Sequence, residues 1–163
     1  MTKSAQQAKT PFNMVLFGGT GDLAMRKLLP ALYAAHLHGL LHVTGRIIGL
    51  GRKDMGRDAY VAQLEAEAKP RIKGWNAESW DSFLARIDYV QVDAKQAEHY
   101  QALAEKLNGH AGVLNVYYLA TAPQYFEPIC ANLAAVGLNQ EPHRVVLEKP
   151  LGTDLASSNN INE

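Results

Sequence analysis

The stretch Phe17-Gly18-Gly19-Thr20-Gly21-Asp22-Leu23-Ala24 constrains the fold more than any other part of the chain. A short apolar run, residues 14–17, leads into it, and residues 23–33 follow with apolar side chains at helical spacing. Strand, glycine turn and helix in that order make the first βα unit of a dinucleotide-binding fold. Gly18 permits the tight turn out of the strand. Gly21 lets the backbone approach a pyrophosphate that a Cβ would strike. Ala24 takes the small-residue position where helix and strand pack. The pyrophosphate would rest on the unpaired N–H groups opening the helix, where the dipole favours negative charge. The spacing is Gly18-x-x-Gly21-x-x-Ala24 rather than G-x-G-x-x-G, so the fingerprint is met in part and a plain turn is the alternative. Asp22 reads chiefly as a helix cap whose carboxylate holds the first-turn amides. Pro30 removes a hydrogen bond inside the helix, so a bend or restart is expected one turn after Arg26-Lys27.

The alternation then repeats. Residues 46–51 read as a second strand, and residues 58–69 as an amphipathic helix with Tyr60, Val61, Leu64 and Ala68 on one face, stopping near Pro70. After an irregular stretch, a short helix turns Trp80, Phe83 and Leu84 inward. Residues 88–93, 113–119 and 143–147 are further strands, with helices at 96–107 and 124–136 between them. A last helix opens near Asp154, and the sequence stops inside it without a helix stop signal, as the N-terminal part of something longer would. Strands that are short apolar runs, alternating with helices five times, belong to a parallel sheet buried on both faces. The expected fold class is therefore α/β: a doubly wound parallel sheet, Rossmann-like, over residues 12–163, behind a loose tail at residues 1–11.

Composition narrows the partners. A length of 163 residues suits one domain with a real core. Sixteen basic residues balance sixteen acidic ones, which argues against nucleic acid or an acidic membrane surface. The single Cys130 cannot form an internal disulfide and suits a reducing compartment. No apolar run is long enough to span a bilayer, and the polar tail lacks the apolar core of a signal peptide, so a cytoplasmic protein is expected. His36, His38 and His42 lie close together, but no carboxylate or Cys stands at ligand spacing, and no metal site is expected.

Ligands of an open parallel sheet bind outside the carboxyl ends of its strands, so the loops after each strand carry the candidates. After strand two come Gly51-Arg52-Lys53, where a cofactor with a free ribose 2′-OH would meet an acid. Arg52 offers instead a fork that fits phosphate oxygens, and Lys53 adds a point charge, a pattern that reads as NADP. The competing reading is a solvated basic loop. Asp93 ends strand three, where it either reaches the adenine or caps the next helix. After strand four, Tyr118-Leu119-Ala120-Thr121-Ala122-Pro123 either lets backbone lie against ribose and nicotinamide or is a plain strand-to-helix turn. After strand five, Lys149 is locked by Pro150 where its ammonium could hold a substrate oxygen or phosphate, with Glu148 structural or its partner.

From Phe12 onward the chain resembles the glucose-6-phosphate dehydrogenase family. The resemblance rests on the opening block from Gly21-Asp22-Leu23-Ala24 through Pro30-Ala31-Leu32-Tyr33, on Gly49-Leu50-Gly51-Arg52 and Tyr118-Leu119-Ala120, and on Glu148-Lys149-Pro150-Leu151-Gly152-Thr153-Asp154-Leu155. The Glu-Lys-Pro element alone is shared with the glucose–fructose oxidoreductase group, which lacks the opening block. The resemblance implies an NADP-dependent oxidoreductase of the pentose phosphate pathway, taking hydride from C1 of glucose 6-phosphate to give 6-phosphogluconolactone, and a homo-oligomer at full length. Carried over by position, Gly18, Gly19, Thr20, Gly21, Asp22 and Leu23 would hold the pyrophosphate, Arg52 the 2′-phosphate, and Lys149 both sugar and coenzyme. Asp93, Tyr118 and Ala120 complete the candidate cofactor site. The family's catalytic His and its Arg-Ile-Asp-His-Tyr-Leu-Gly-Lys stretch do not occur in this sequence. The chain is therefore expected to bind cofactor without turnover, since loss of hydride needs a base for the hydroxyl proton. A non-enzymatic NADP sensor is the alternative from another class.

Overall fold

The computed structural model describes residues 10–107, 113–140 and 142–147. Among these residues five strands form one parallel sheet: β1 (Phe12–Phe17), β2 (Arg46–Gly51), β3 (Ile87–Gln91), β4 (Leu114–Leu119) and β5 (His143–Leu147). Their order across the sheet is β3-β2-β1-β4-β5. That is the doubly wound order, with the switch point between β1 and β4. β1 leaves from the middle in both directions, and each of its faces is buried.

Side-chain alternation assigns the two faces. Leu16, Ile47, Ile87 and Tyr89 point to one side, where α1 (Leu29–Leu37), α2 (Arg57–Gln63) and α3 (Ala77–Leu84) cover them with Leu29, Tyr33, Tyr60, Trp80 and Phe83. Val15, Phe17, Ile48, Leu50, Val90 and Tyr117 point to the other, under Tyr100 and Leu103 of α4 (His99–Leu107) and Ile129 and Leu133 of α5 (Phe126–Ala135). The connections before and after the switch point thus lie on opposite faces, as double winding requires.

The second and fifth strands stand where the sequence pattern puts them. The helices differ at their prolines. Ahead of Pro30 the chain makes a five-residue π turn, Ala24–Leu28, in which the Leu29 amide bonds Ala24 O, five residues back. Ahead of Pro70 a second π turn, Leu64–Ala68, has the Lys69 amide on Leu64 O, and Lys69–Arg71 then tightens into a 3₁₀ turn. A proline lacks the N–H and its ring strikes the carbonyl four residues earlier. Widening the preceding turn makes room for that ring. The bend expected at Pro30 is thus a π turn, and the helix expected over 58–69 is three segments. Before α4, residues 96–98 form turns, and a 3₁₀ turn, Pro123–Tyr125, opens into α5. The helix expected near Asp154 and most of the tail at residues 1–11 lie outside the described residues.

Candidate functional site

At the carboxyl end of the sheet, the loops after β1, β2, β3 and β4 surround a cleft of about 300 Å³. Gly18, Thr20 and Gly21 line it from the first turn, Arg52 from the second loop, Asp93 from the third and Ala120 from the fourth. Loops far apart in sequence thus meet at the switch point, where such folds bind ligands. A larger cavity, about 710 Å³, lies beside Gly45, Arg46 and Arg86 at the amino end of β2, away from these loops.

The turn is built by close packing. Gly18 has φ +80°, and a Cβ there would stand 2.4 Å from Ala120 O, so both the conformation and the β1–β4 contact demand glycine. The Gly19 amide donates to Leu50 O at 2.8 Å and ties the turn to β2. Gly21 is different. Its φ is not positive, and a Cβ there would meet only Gly18 O, at 3.3 Å. The protein's own packing leaves that space open toward the cleft. The first helical bond runs from the Met25 amide to Gly21 O, so the amides of residues 22–24 belong to the unsatisfied first turn.

Asp22 is not a cap. Among the described residues no side chain caps this helix start, and the Asp22 carboxylate pairs instead with Arg26, one turn on, at 2.9 Å. Arg26 offers two donors to it, Nη2 and Nε, where a first-turn amide offers one. Leu23 is already helical and does not line the cleft. Arg52 is exposed, and neither it nor Lys53 forms an ion pair among the described residues. Asp93 lines the cleft while its Oδ1 accepts from the Lys95 amide at 3.1 Å, and its own amide donates to His99 Nδ1 at 2.9 Å. It therefore shapes the turn before α4 and faces the cleft at once. The Tyr118 side chain lies elsewhere: it lines an apolar cavity of about 170 Å³ with Met14, Leu16, Leu28 and Leu32 under α1. Lys149 lies outside the described residues, two positions past the end of β5.

Periodicity marks Tyr60 as a core residue but not what its hydroxyl does. That hydroxyl donates to Gly19 O at 2.8 Å, and Gln63 Nε2, one turn further along α2, donates to Thr20 O at 2.9 Å. Both hold the glycine turn from beneath. The glycines of β2, Gly49 and Gly51, are the sequence signal that something packs closely over that strand.

The sequence profile of the family described as "Glucose-6-phosphate dehydrogenase, NAD binding domain" matches residues 15–163. The chain belongs to the glucose-6-phosphate dehydrogenase family. The glucose-6-phosphate 1-dehydrogenase of Mycolicibacterium smegmatis is 45% identical over 161 residues, covering 94% of this chain and 32% of the relative. That of Dickeya dadantii is 40% identical over 151 residues, covering 92% and 30%. The crystal structure of the Mycobacterium avium glucose-6-phosphate 1-dehydrogenase superposes with a TM-score of 0.80 at 33% identity, over 94% of this chain and 33% of that one. The chain thus spans about a third of the length of the family members it matches.

Proposed function

We propose that this chain is the coenzyme-binding part of an NADP-dependent glucose-6-phosphate dehydrogenase, acting on C1 of glucose 6-phosphate in the cytoplasm as a homo-oligomer. One observation carries the cofactor reading. The cleft joins an open pyrophosphate slot at Gly21 to an Arg52 guanidinium with no acidic partner among the described residues. NADP fits both features: the first-turn amides beside Gly21 would hold its pyrophosphate, and Arg52 and Lys53 would hold its 2′-phosphate. Asp93 would serve the adenosine side and the Ala120 backbone the nicotinamide side, and the family resemblance assigns Lys149, outside the described residues, to sugar and coenzyme. When bound, NADP supplies the hydride acceptor. The chain's residues bind and orient it. The base and most of the sugar-phosphate ligands would come from the length that relatives have beyond the matched region. The exposed thiol of Cys130 suits a reducing cytoplasm.

Calorimetric titration of Arg52→Ala with NADP and NAD tests the assignment. A charge-assisted hydrogen bond contributes roughly 1.5–3 kcal/mol, so NADP is expected to weaken about ten- to a hundredfold while NAD stays put. Lys53 softens the loss without replacing the fork. The loss should shrink as salt rises, because Arg52 is exposed. Equal weakening of both dinucleotides would remove the main support for NADP.

A further inference from the structure

Two phenols and one amide join the two loops that would grip the cofactor's phosphates. The buried Tyr60 holds Gly19 O from below, and its ring lies where a Cβ on Gly49 would come within 2.3 Å. Tyr89, on β3, packs its ring 5.2 Å from that of Tyr60 and donates its hydroxyl to Lys53 O at 2.8 Å. The same hydroxyl lies 2.8 Å from where Gly51 would carry a Cβ, and Thr20 of the glycine turn lies 3.1 Å from that point. Gln91, two residues along β3 and on the same face, donates Nε2 to Arg52 O at 3.0 Å. The carbonyls of consecutive loop residues, Arg52 and Lys53, are therefore each fixed by a β3 side chain. A surface loop ordinarily leaves such carbonyls to water. Burial raises the pKa of both phenols, with the charge of an ionised Tyr89 phenol adding to the effect on Tyr60 and the Asp54 carboxylate to that on Tyr89, so both remain donors.

We propose that Tyr89 and Gln91 are positioning residues for cofactor choice. They hold the Arg52-Lys53 loop at a set distance from the pyrophosphate turn, through the Tyr60 ring and Gly19. The guanidinium of Arg52 then meets a 2′-phosphate while the turn holds the pyrophosphate. This rests on the NADP reading above. An Arg–phosphate pair depends on two parallel hydrogen bonds, and a slack of about 1 Å in its support spoils them. NAD uses the turn and has no 2′-phosphate for Arg52, so slack in the loop weakens NADP alone.

Gln91→Leu removes the donor at similar size, and Tyr89→Phe removes only the hydroxyl. Titrating each variant with NADP and with NAD is expected to show NADP about three- to tenfold weaker and NAD within about twofold, with thermal unfolding checked alongside. Because Gln91 acts through Arg52, adding Gln91→Leu to Arg52→Ala should cost no further NADP affinity. Equal weakening of both cofactors, or additive losses in the double variant, overturns the proposal and leaves a structural role. If Arg52→Ala weakens NADP selectively while both β3 variants keep the preference, positioning fails and the NADP reading stands. If Arg52→Ala itself leaves the preference unmoved, the NADP reading fails and takes the proposal with it. Should Gln91→Leu not fold, Tyr89→Phe, which deletes a single atom, carries the test by itself.

Discussion

His36 carries its ring proton on Nε2, because Arg86 Nε can only donate and does so to His36 Nδ1 at 2.9 Å. Nε2 then donates to Ser82 Oγ at 2.7 Å, and the Ser82 hydroxyl donates to Ser79 O at 3.0 Å. A second proton on His36 would face the Arg86 guanidinium. Burial, with Arg86 next, lowers the His36 pKa below its ordinary 6.5. The unfolded chain then binds more protons than the folded one just below pH 6.5, so stability is full above that pH and is lost as pH falls through it. Urea unfolding at pH 7.5 and 5.5 should show this loss, and His36→Gln should flatten that part of the profile. The two key glycines of the first turn should separate just as cleanly. Gly18→Ala meets both a positive φ and Ala120 O, and should lower stability by about 1–3 kcal/mol or more. Gly21→Val should fold, with an unchanged circular dichroism spectrum, and fail to bind dinucleotide in titration. Unchanged affinity would make Gly21 a turn residue only.

α3 shows what an element owes to its neighbours. Asn76 caps it, accepting the Ser79 amide at 2.9 Å. Trp80 and Phe83 then close on Tyr33 of α1, with ring centroids 5.4–5.7 Å apart. Trp80 is 2% exposed, and its Nε1 reaches Glu65 at 3.2 Å. Trp80→Ala should therefore lower unfolding stability by about 3–5 kcal/mol, read as a shift in the urea midpoint. The inward set of Trp80, Phe83 and Leu84 was legible from spacing alone, and so were the five strands to within two residues at their ends (β3 runs 87–91 rather than 88–93), because short apolar runs recurring between helical stretches suit a buried parallel sheet. The π turns were not, since propensity counts residues and cannot see an amide moving from the fourth carbonyl to the fifth. Nor could Asp22 be read correctly: cap and ion pair use the same carboxylate, and only the position of Arg26 decides. Arg52, Asp93 and Ala120 were legible as residues lining one cleft because the parallel topology places every post-strand loop at one edge. The bond from Tyr60 to Gly19, spanning 41 positions, depends on tertiary packing and left only the glycines of β2 as a trace.

At the scale of the molecule, one sheet holds two separate cores, and β5 lies at its edge. Val145 is 40% and Val146 36% exposed, one on each face of that strand. Family members are about three times as long as this chain. On the proposed function, the base and most of the sugar-phosphate ligands belong to that further length. The purified 163-residue chain should therefore form no NADPH from glucose 6-phosphate while still binding NADP. Turnover near that of an ordinary dehydrogenase would reveal a base within these residues.

The two cores also become available at different times. Every buried member of the core under α1, α2 and α3 among the described residues falls between Leu16 and Tyr89, so a growing chain has these before β4 brings Tyr118 against them. The other core mixes Val15 and Phe17 with Tyr117, Leu119, Ile129, Leu133 and Leu138, and must wait about thirty to fifty residues more. Gly18 belongs to that wait. Its neighbour across the switch point is Ala120, and until that carbonyl arrives the turn has a wall on the β2 side alone. The place where the cofactor would sit is begun by the first strand made and finished by the fourth.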